Sequence, residues 1–240
     1  ENVQLFQAYH AQYPSHGYRW LNAKIRLDKG IILSNPYAHK CCKAAGIKSE
    51  AKHYKYKKPG VAGKVFPNLL LSELQIDGPL QCIVSDMTAF RVKGVYYELT
   101  LYMDLWNNEI VSHSLSSKRG DRMTYISGLK ELLELKKQYP EYQMILHSDQ
   151  GSVYASKAYN DLLPMYVTRS MSRAGTPTDN GAMESINGWI KAELFMDFHV
   201  TGDRPVETEI DEYITFFNEQ RPAYALNYLT PKQYRETYAP

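Results

Sequence analysis

Apolar and polar residues alternate between positions 95 and 106, with Tyr97, Leu99, Leu101, Met103 and Leu105 on one side and Glu98, Thr100, Tyr102 and Asp104 on the other. A period of two belongs to a strand with one face buried and one in water. The flanking pattern predicts two more strands. Residues 80–89 form an apolar run around a single acid, Asp86, and residues 109–117 return after a turn at Asn107-Asn108. Asp121 reads as the cap of a helix over 122–138. Residues 143–147 read as a short buried strand that ends at Asp149. A helix over 156–163, a strand over 166–170, a turn-rich loop over 176–181 and helices over 182–198 and 205–219 complete the chain. The order β-β-β-α-β-α-β-α-α predicts an α/β fold, a mixed sheet flanked by helices.

The first 47 residues read as helical. One helix covers 18–29, carrying Trp20, Leu21 and Ile25 at near-helical spacing after a His-Gly break. Ser34-Asn35-Pro36 predicts a second start, with Asn35 as N-cap and Pro36 at the first helical position, running to Ala45 before Gly46. Two short helices with a tight break form a helix-turn-helix-like segment; a basic helical hairpin that only packs is the structural alternative. Lys48, Lys52, Lys55, Lys57, Lys58 and Lys64 follow, interrupted by Pro59, Gly60 and Gly63. This is a basic linker, either a solvated tether or one that tracks phosphates. The expected domains are therefore a helical DNA-binding segment (1–47), a basic linker (48–79) and a catalytic part (80–240).

Charge sharpens that division. The formal net charge is only +2, yet residues 1–65 hold 12 Lys/Arg against 3 Asp/Glu, and residues 66–240 hold 16 against 23. A basic block joined to an acidic one points to nucleic acid. Lys40 and Lys43 on the second helix, and Lys55, Lys57 and Lys58 on the linker, are the candidate DNA contacts. The hydrophobic fraction of 44% excludes a mostly disordered chain. No run approaches the ~18 apolar residues of a spanning helix, so no membrane partner is expected. Without a signal peptide the expected location is cytoplasmic, and an opening Glu1 fits a piece of a longer product. Cys41, Cys42 and Cys82 have neither disulfide nor zinc spacing and read as buried thiols. Among the 20 tyrosines, base stacking is entertained only for Tyr54 and Tyr56, interleaved with lysines.

Three acids carry candidate chemistry. Asp86 interrupts an apolar strand, where a carboxylate is costly unless paired or metal-bound. Asp149 ends a strand, and strand ends of such sheets open onto clefts. Glu184 lies early on a helix whose apolar stripe is Met183, Ile186, Ile190 and Leu194, while Glu184, Asn187, Gly188 and Lys191 share an adjacent face. Each acid also has a structural reading: a buried ion pair for Asp86, a turn cap for Asp149, an exposed helix position for Glu184. Together they suit a pair of hard divalent ions that clamp a phosphodiester. His147, a lone imidazole on a buried strand, reads as core or as a support to the site.

The intervals are 62 residues from Asp86 to Asp149 and 34 from Asp149 to Glu184. Around them stand Ser-Asp-Met-Thr-Ala-Phe (85–90), His-Ser-Asp-Gln-Gly-Ser (147–152), Ser-Met-Ser-Arg-Ala-Gly (170–175), Asp-Asn-Gly-Ala-Met-Glu-Ser (179–185), Phe-Asn-Glu-Gln-Arg-Pro (217–222) and Ala-Leu-Asn-Tyr-Leu-Thr-Pro (225–231). The chain resembles DDE transposases of bacterial insertion sequences, in particular the OrfB part of the OrfA–OrfB fusion type. His-Gly-Tyr-Arg-Trp (16–20) resembles the helical DNA-binding segment that precedes their core. The resemblance implies a ribonuclease-H-like, retroviral-integrase-like core, with Asp86, Asp149 and Glu184 as catalytic and metal-binding residues. It implies two Mg²⁺ ions per site, with Mn²⁺ as substitute. Lys191, Asn187, Arg173, Asn180 and Arg221 fall in DNA-contacting motifs. The implied partners are double-stranded DNA (terminal inverted repeats and target) and further copies of the chain, as a homodimer or larger oligomer. The implied reaction cuts an element end and joins the freed 3′-hydroxyl to another phosphodiester, through a copied circular intermediate. A nuclease of the same fold without joining activity, and a non-catalytic DNA-binding regulator, are the alternatives. The chain departs from the family's pattern by one residue fewer between Asp149 and Glu184, by Ile83 in place of a frequent Trp, and by Ala223 in place of a usual His.

Overall fold

The structure, a computed structural model, describes residues 1–51, 64–71, 74–140, 142–174, 176, 179 and 181–239; the side chains of residues 181, 182 and 184 lie outside the description. Contacts group the chain into two compact units, Glu1–Tyr54 with Gly188–Tyr234, and Lys55–Asn187 with Arg235–Pro240.

The second unit contains the sheet. Its strands are β1 (Cys82–Val92), β2 (Val95–Asp104), β3 (Ile110–Ser116), β4 (Met144–Ser148) and β5 (Val167–Met171), in the order β3-β2-β1-β4-β5. β1 and β2 form an antiparallel hairpin closed by Lys93 and Gly94, whose φ values of 47° and 81° suit the two-residue turn that matches strand twist. β3 is antiparallel to β2, while β1–β4 and β4–β5 are parallel. Parallel neighbours need crossovers, and the helices α4 (Arg122–Lys136) and α5 (Lys157–Asn160) occur in the connections. Asp121 caps α4 as expected, its carboxylate accepting from the Met123 N–H at 3.0 Å.

The expected half-buried β2 needs correction. From Glu98 to Asp104 every residue of the strand is buried, on both faces. Tyr102 meets α4 at Gly128, where an added Cβ would lie 2.7 Å from the ring. The Tyr102 hydroxyl donates to the Tyr125 carbonyl at 2.8 Å and pairs with the Tyr159 hydroxyl at 2.9 Å. Glu98 accepts from the Gly120 N–H at 2.9 Å and the Tyr96 hydroxyl at 2.9 Å. On the polar side of the alternation Glu98, Tyr102 and Asp104 are buried with partners, while the Thr100 hydroxyl is buried with no hydrogen bond among the described residues. The core around these tyrosines is apolar: Ile83, Leu129, Leu132, Met144 and Leu146 are inaccessible to solvent.

The first unit is helical: α1 (Asn2–Gln12), α2 (Tyr18–Lys29), α3 (Asn35–Ala44), the second half of α6 (Gly181–Met196), and α7 (Val206–Glu219). α2 has the predicted bounds. The cap of α3 is Ser34 and not Asn35: the Ser34 hydroxyl accepts from the Tyr37 N–H at 3.4 Å, while Asn35 accepts from the Asn22 amide at 3.1 Å. The cysteines are free and buried, as expected. An eighth helix, α8 (Pro231–Tyr238), was not expected. It opens on a capping box in which the Gln233 N–H donates to the Thr230 hydroxyl and the Thr230 N–H to the Gln233 side chain, both at 3.1 Å.

This grouping crosses the boundary drawn at residue 80. Residues 188–234 pack with the N-terminal helices because α6 and α7 share buried partners with them. Tyr13 stacks on Phe216 at 6.0 Å, and the ammonium of the buried Lys24 lies over both rings while bonding Asp28 at 2.8 Å. Among the described residues, no helix is long and apolar enough to cross a membrane.

Candidate active site

Ser85 of β1 pairs in register with Ser148 of β4, and each serine is followed by an acid, Asp86 and Asp149. Adjacent strands lie about 4.8 Å apart, so the two acids follow directly on residues paired at one level of the sheet. Alternation fixes which side of the sheet Asp86 takes. Ser85 and its β2 partner Tyr102 point toward Tyr154 and Tyr159, the Ser85 hydroxyl lying 2.8 Å from that of Tyr154. Asp86 therefore points to the opposite face, where the Asn187 amide of α6 donates to it at 2.7 Å.

That hydrogen bond locates the start of α6. Glu184 lies three residues before Asn187, and Lys191 four residues after it, so the helix period puts all three positions on one face. The Glu184 side chain itself lies outside the described residues. Among the described residues, no three His, Cys, Asp or Glu side chains form a group able to hold a metal.

The Asp149 carboxyl is pulled in two directions. Burial raises its carboxyl above the ordinary range, while the Gly151 N–H, at 2.8 Å, and the charge of Arg169 pull it down. Arg169 is itself buried and donates to the Leu146 carbonyl at 2.8 Å and the Ser148 hydroxyl at 2.9 Å, fixing the end of β4. His147 is fully buried, with one ring nitrogen 2.8 Å from the Ser170 hydroxyl and the other 3.0 Å from that of Ser172. Burial lowers it to about 4, which keeps the ring neutral at pH 7 and in a supporting place.

The predicted DNA contacts separate. Lys40 and Lys43 are exposed on α3, and Lys191 is half-buried. Asn187 is 6% exposed and bonded to Asp86, which makes it a support for that acid. Arg173 is engaged by Asp179: its Nε and Nη2 donate to the two carboxylate oxygens at 2.9 and 2.8 Å. Arg221 requires correction. It is 9% exposed, and its Nε donates to Glu193 at 2.8 Å, so its guanidinium serves the interior of its unit. Asn180, Lys55, Lys57 and Lys58 lie outside the described residues.

Glu193 was missed from the sequence. It is fully buried, accepting from Arg221 and from the Tyr213 hydroxyl at 2.9 Å, with His16 Nε2 at 3.2 Å. Burial alone would raise it; Arg221 and His16 outweigh burial and bring it down to about 2. A signal was present: at 100° per residue, Glu193 and Asp197 both fall beside the stripe of Met183, Ile190 and Leu194. Acids on an apolar stripe announce buried partners.

Comparison with known proteins decides what this arrangement belongs to. The integrase core domain model matches residues 165–231. The transposase for insertion sequence element IS904 of Lactococcus lactis is 30% identical over 89% of this chain and 85% of its own length. The chain belongs to the insertion-sequence transposases. InsK of insertion sequence element IS150 from Escherichia coli K12 is 29% identical over 99% of this chain and 83% of that protein. The catalytic core domain of HTLV-2 integrase, solved in complex with magnesium, matches the transposase with a TM-score of 0.50 over 65% of this chain and 96% of that one, at 18% identity. The sheet of the transposase is thus the ribonuclease-H-like sheet of integrase cores, and membership in the family makes the chain a DNA-cleaving and strand-transferring enzyme.

Proposed function

We infer that this transposase cuts element ends and joins them to new phosphodiesters with Asp86, Asp149 and Glu184 as ligands of two divalent ions, Mg²⁺ or Mn²⁺. The observation that carries the reading is the β1–β4 register, which pairs Ser85 with Ser148, the residues directly before Asp86 and Asp149. The Asn187–Asp86 hydrogen bond supports it by bringing the helix that carries Glu184 to the same face. The donor set fits the group. Carboxylates are hard, anionic ligands suited to Mg²⁺ and Mn²⁺. Asp149 is a half-buried carboxylate whose ionised form a cation would favour. The integrase core solved with magnesium is a neighbour in fold and supports the choice of ion. When bound, such ions activate a nucleophile at neutral pH and neutralise charge that develops on the phosphate.

The chain's own groups do the positioning. Asn187 orients Asp86, and the Gly151 N–H orients Asp149. Lys191, a turn beyond Asn187, offers an ammonium to a phosphate. Lys40 and Lys43 on α3, Arg173, Asn180 and the linker lysines 55, 57 and 58 supply the remaining contacts to terminal repeats and target. Hydrolysis frees a 3′-hydroxyl; that hydroxyl then displaces another 3′-oxygen from its phosphorus, so phosphodiester bonds are exchanged without loss. Two ends must be held together, which calls for a homodimer or larger assembly on DNA, in the cytoplasm. The Glu184→Gln protein is expected to bind end DNA and, with Mg²⁺, to neither nick nor join it in a labelled-end assay. Full strand transfer by that variant would sink the metal-site assignment.

A further inference from the structure

A cavity of the helical unit, about 500 Å³, is lined by aromatic rings and two arginines. We propose that it is a socket for one unpaired nucleotide of the DNA substrate, its base stacked among the rings and its phosphate at the exposed Arg19. The proposal rests on the DNA-transposase reading and adds a subsite to it.

Four observations converge. First, the wall is a column of flat rings. His16 is stacked between Trp20, at 3.6 Å and 10°, and Trp189, at 5.4 Å and 7°. Tyr224, which is 74% exposed, and Tyr228 stand edge to face at 5.6 Å on the same lining. Aromatic faces of this kind hold bases of any identity, because every base has a π-face.

Second, the lining has polar atoms without partners. The indole N–H of Trp20 and the hydroxyl of Tyr228 are buried and make no hydrogen bond among the described residues. Buried polar groups in native proteins are almost always satisfied, and the edge of a base offers both donors and acceptors. A purely apolar occupant would leave both atoms unsatisfied.

Third, the charge is right for a nucleotide. Arg19 is exposed at the rim and Arg221 lies deeper. The acids nearest the column, Glu193 and Asp197, are already engaged by His16, Arg221 and the Ser15 hydroxyl. Fourth, the volume lies within the ~300–1,000 Å³ of small-ligand sites, far below what a duplex needs. Only a nucleotide swung out of the stack enters, and extrusion costs least where pairing is already lost.

The test uses the full chain and two duplexes of mixed sequence, one fully paired and one carrying a single unpaired 2-aminopurine. Binding is read by anisotropy and base stacking by quenching of the 2-aminopurine. The unpaired duplex is expected to bind on the order of ten-fold more tightly, with quenched fluorescence. Tyr224→Ala, a change at an exposed side chain, and Trp20→Phe, which keeps an aromatic face and removes the N–H, are expected to bring the affinity ratio toward one. Free deoxyadenosine monophosphate is the second arm. Quenching reversed only by high concentrations of the free nucleotide supports a DNA-borne base. Equal binding of the two duplexes, a ratio insensitive to both substitutions, or tight binding of the free nucleotide alone overturns the socket and leaves the transposase reading standing. Binding to neither duplex overturns the DNA-binding reading and the socket together.

Discussion

An acid without solvent exposure survives folding only with partners, and Glu193 has Arg221, His16 and Tyr213. Truncating it leaves Arg221 buried without its partner, a loss on the order of 3–5 kcal/mol. The Glu193→Gln protein is therefore expected to unfold at markedly lower denaturant than wild type at pH 7. The pH dependence has a fixed sign. The carboxyl is depressed from 4.5 to about 2, so its stabilisation is complete above pH 4.5 and fades as pH falls toward 2. The gap between wild type and variant should close over that interval. Asp104 runs the other way. Burial raises it from 3.8 to about 7 against the pull of the Leu80 and Trp106 N–H groups, so wild type should lose ground to Asp104→Asn as pH rises from 3.8 toward 7. Unfolding curves across pH check both; parallel pH profiles for wild type and either variant would refute that assignment. At this scale Asp86 was legible as an acid out of place in an apolar strand. The identity of the acids' neighbours was not, because Asp86 and Asn187, or His16 and Glu193, meet only after long stretches of chain have folded.

At the scale of elements, the α4–β2 contact depends on a missing side chain. Gly128 lets the Tyr102 ring approach, and the Ser112 hydroxyl donates to the Gly128 carbonyl at 2.7 Å. Alanine would gain about 1 kcal/mol of helix propensity. Its Cβ would meet the Tyr102 ring, a crowding that costs roughly 1–3 kcal/mol in a packed core. Tyr102 cannot move without breaking its bonds to Tyr125 and Tyr159. The Gly128→Ala protein is expected to melt below wild type; a higher melting temperature would mean that the ring yields freely. The strands were read correctly because their period and turn residues are local. The face assignment of β2 failed because alternation reports polarity, and a partnered polar residue is buried as readily as an apolar one. The β1–β4 register, on which the acid pair depends, has no local signal. The cap of α8 did have one, Thr230 and Gln233 around Pro231, and could have been read.

For the whole molecule, the packing groups residues 1–54 with residues 188–234. A chain beginning at residue 64 would keep every strand but lose the partners of Glu193, Lys191's own helix half and α7 supplied by residues 1–54. Hydrogen exchange on that fragment is expected to show protected strands and an unprotected 206–219. Protection of that segment at the intact chain's level would show that the C-terminal helices fold without the N-terminal ones. The charge asymmetry was legible as a pointer to DNA; this grouping was not, since nothing local announces that residues 188–234 belong with residues 1–54.

The buried carboxylate of Glu193 also bears on heredity. Two of its partners stand far apart in the chain, at positions 16 and 221. A crossover between diverged elements that replaces only the front of the frame would separate a matched set. Viable hybrids should then carry the front and the 188–234 stretch from the same parent, so that what travels as a unit between elements is two separated passages of sequence and not one.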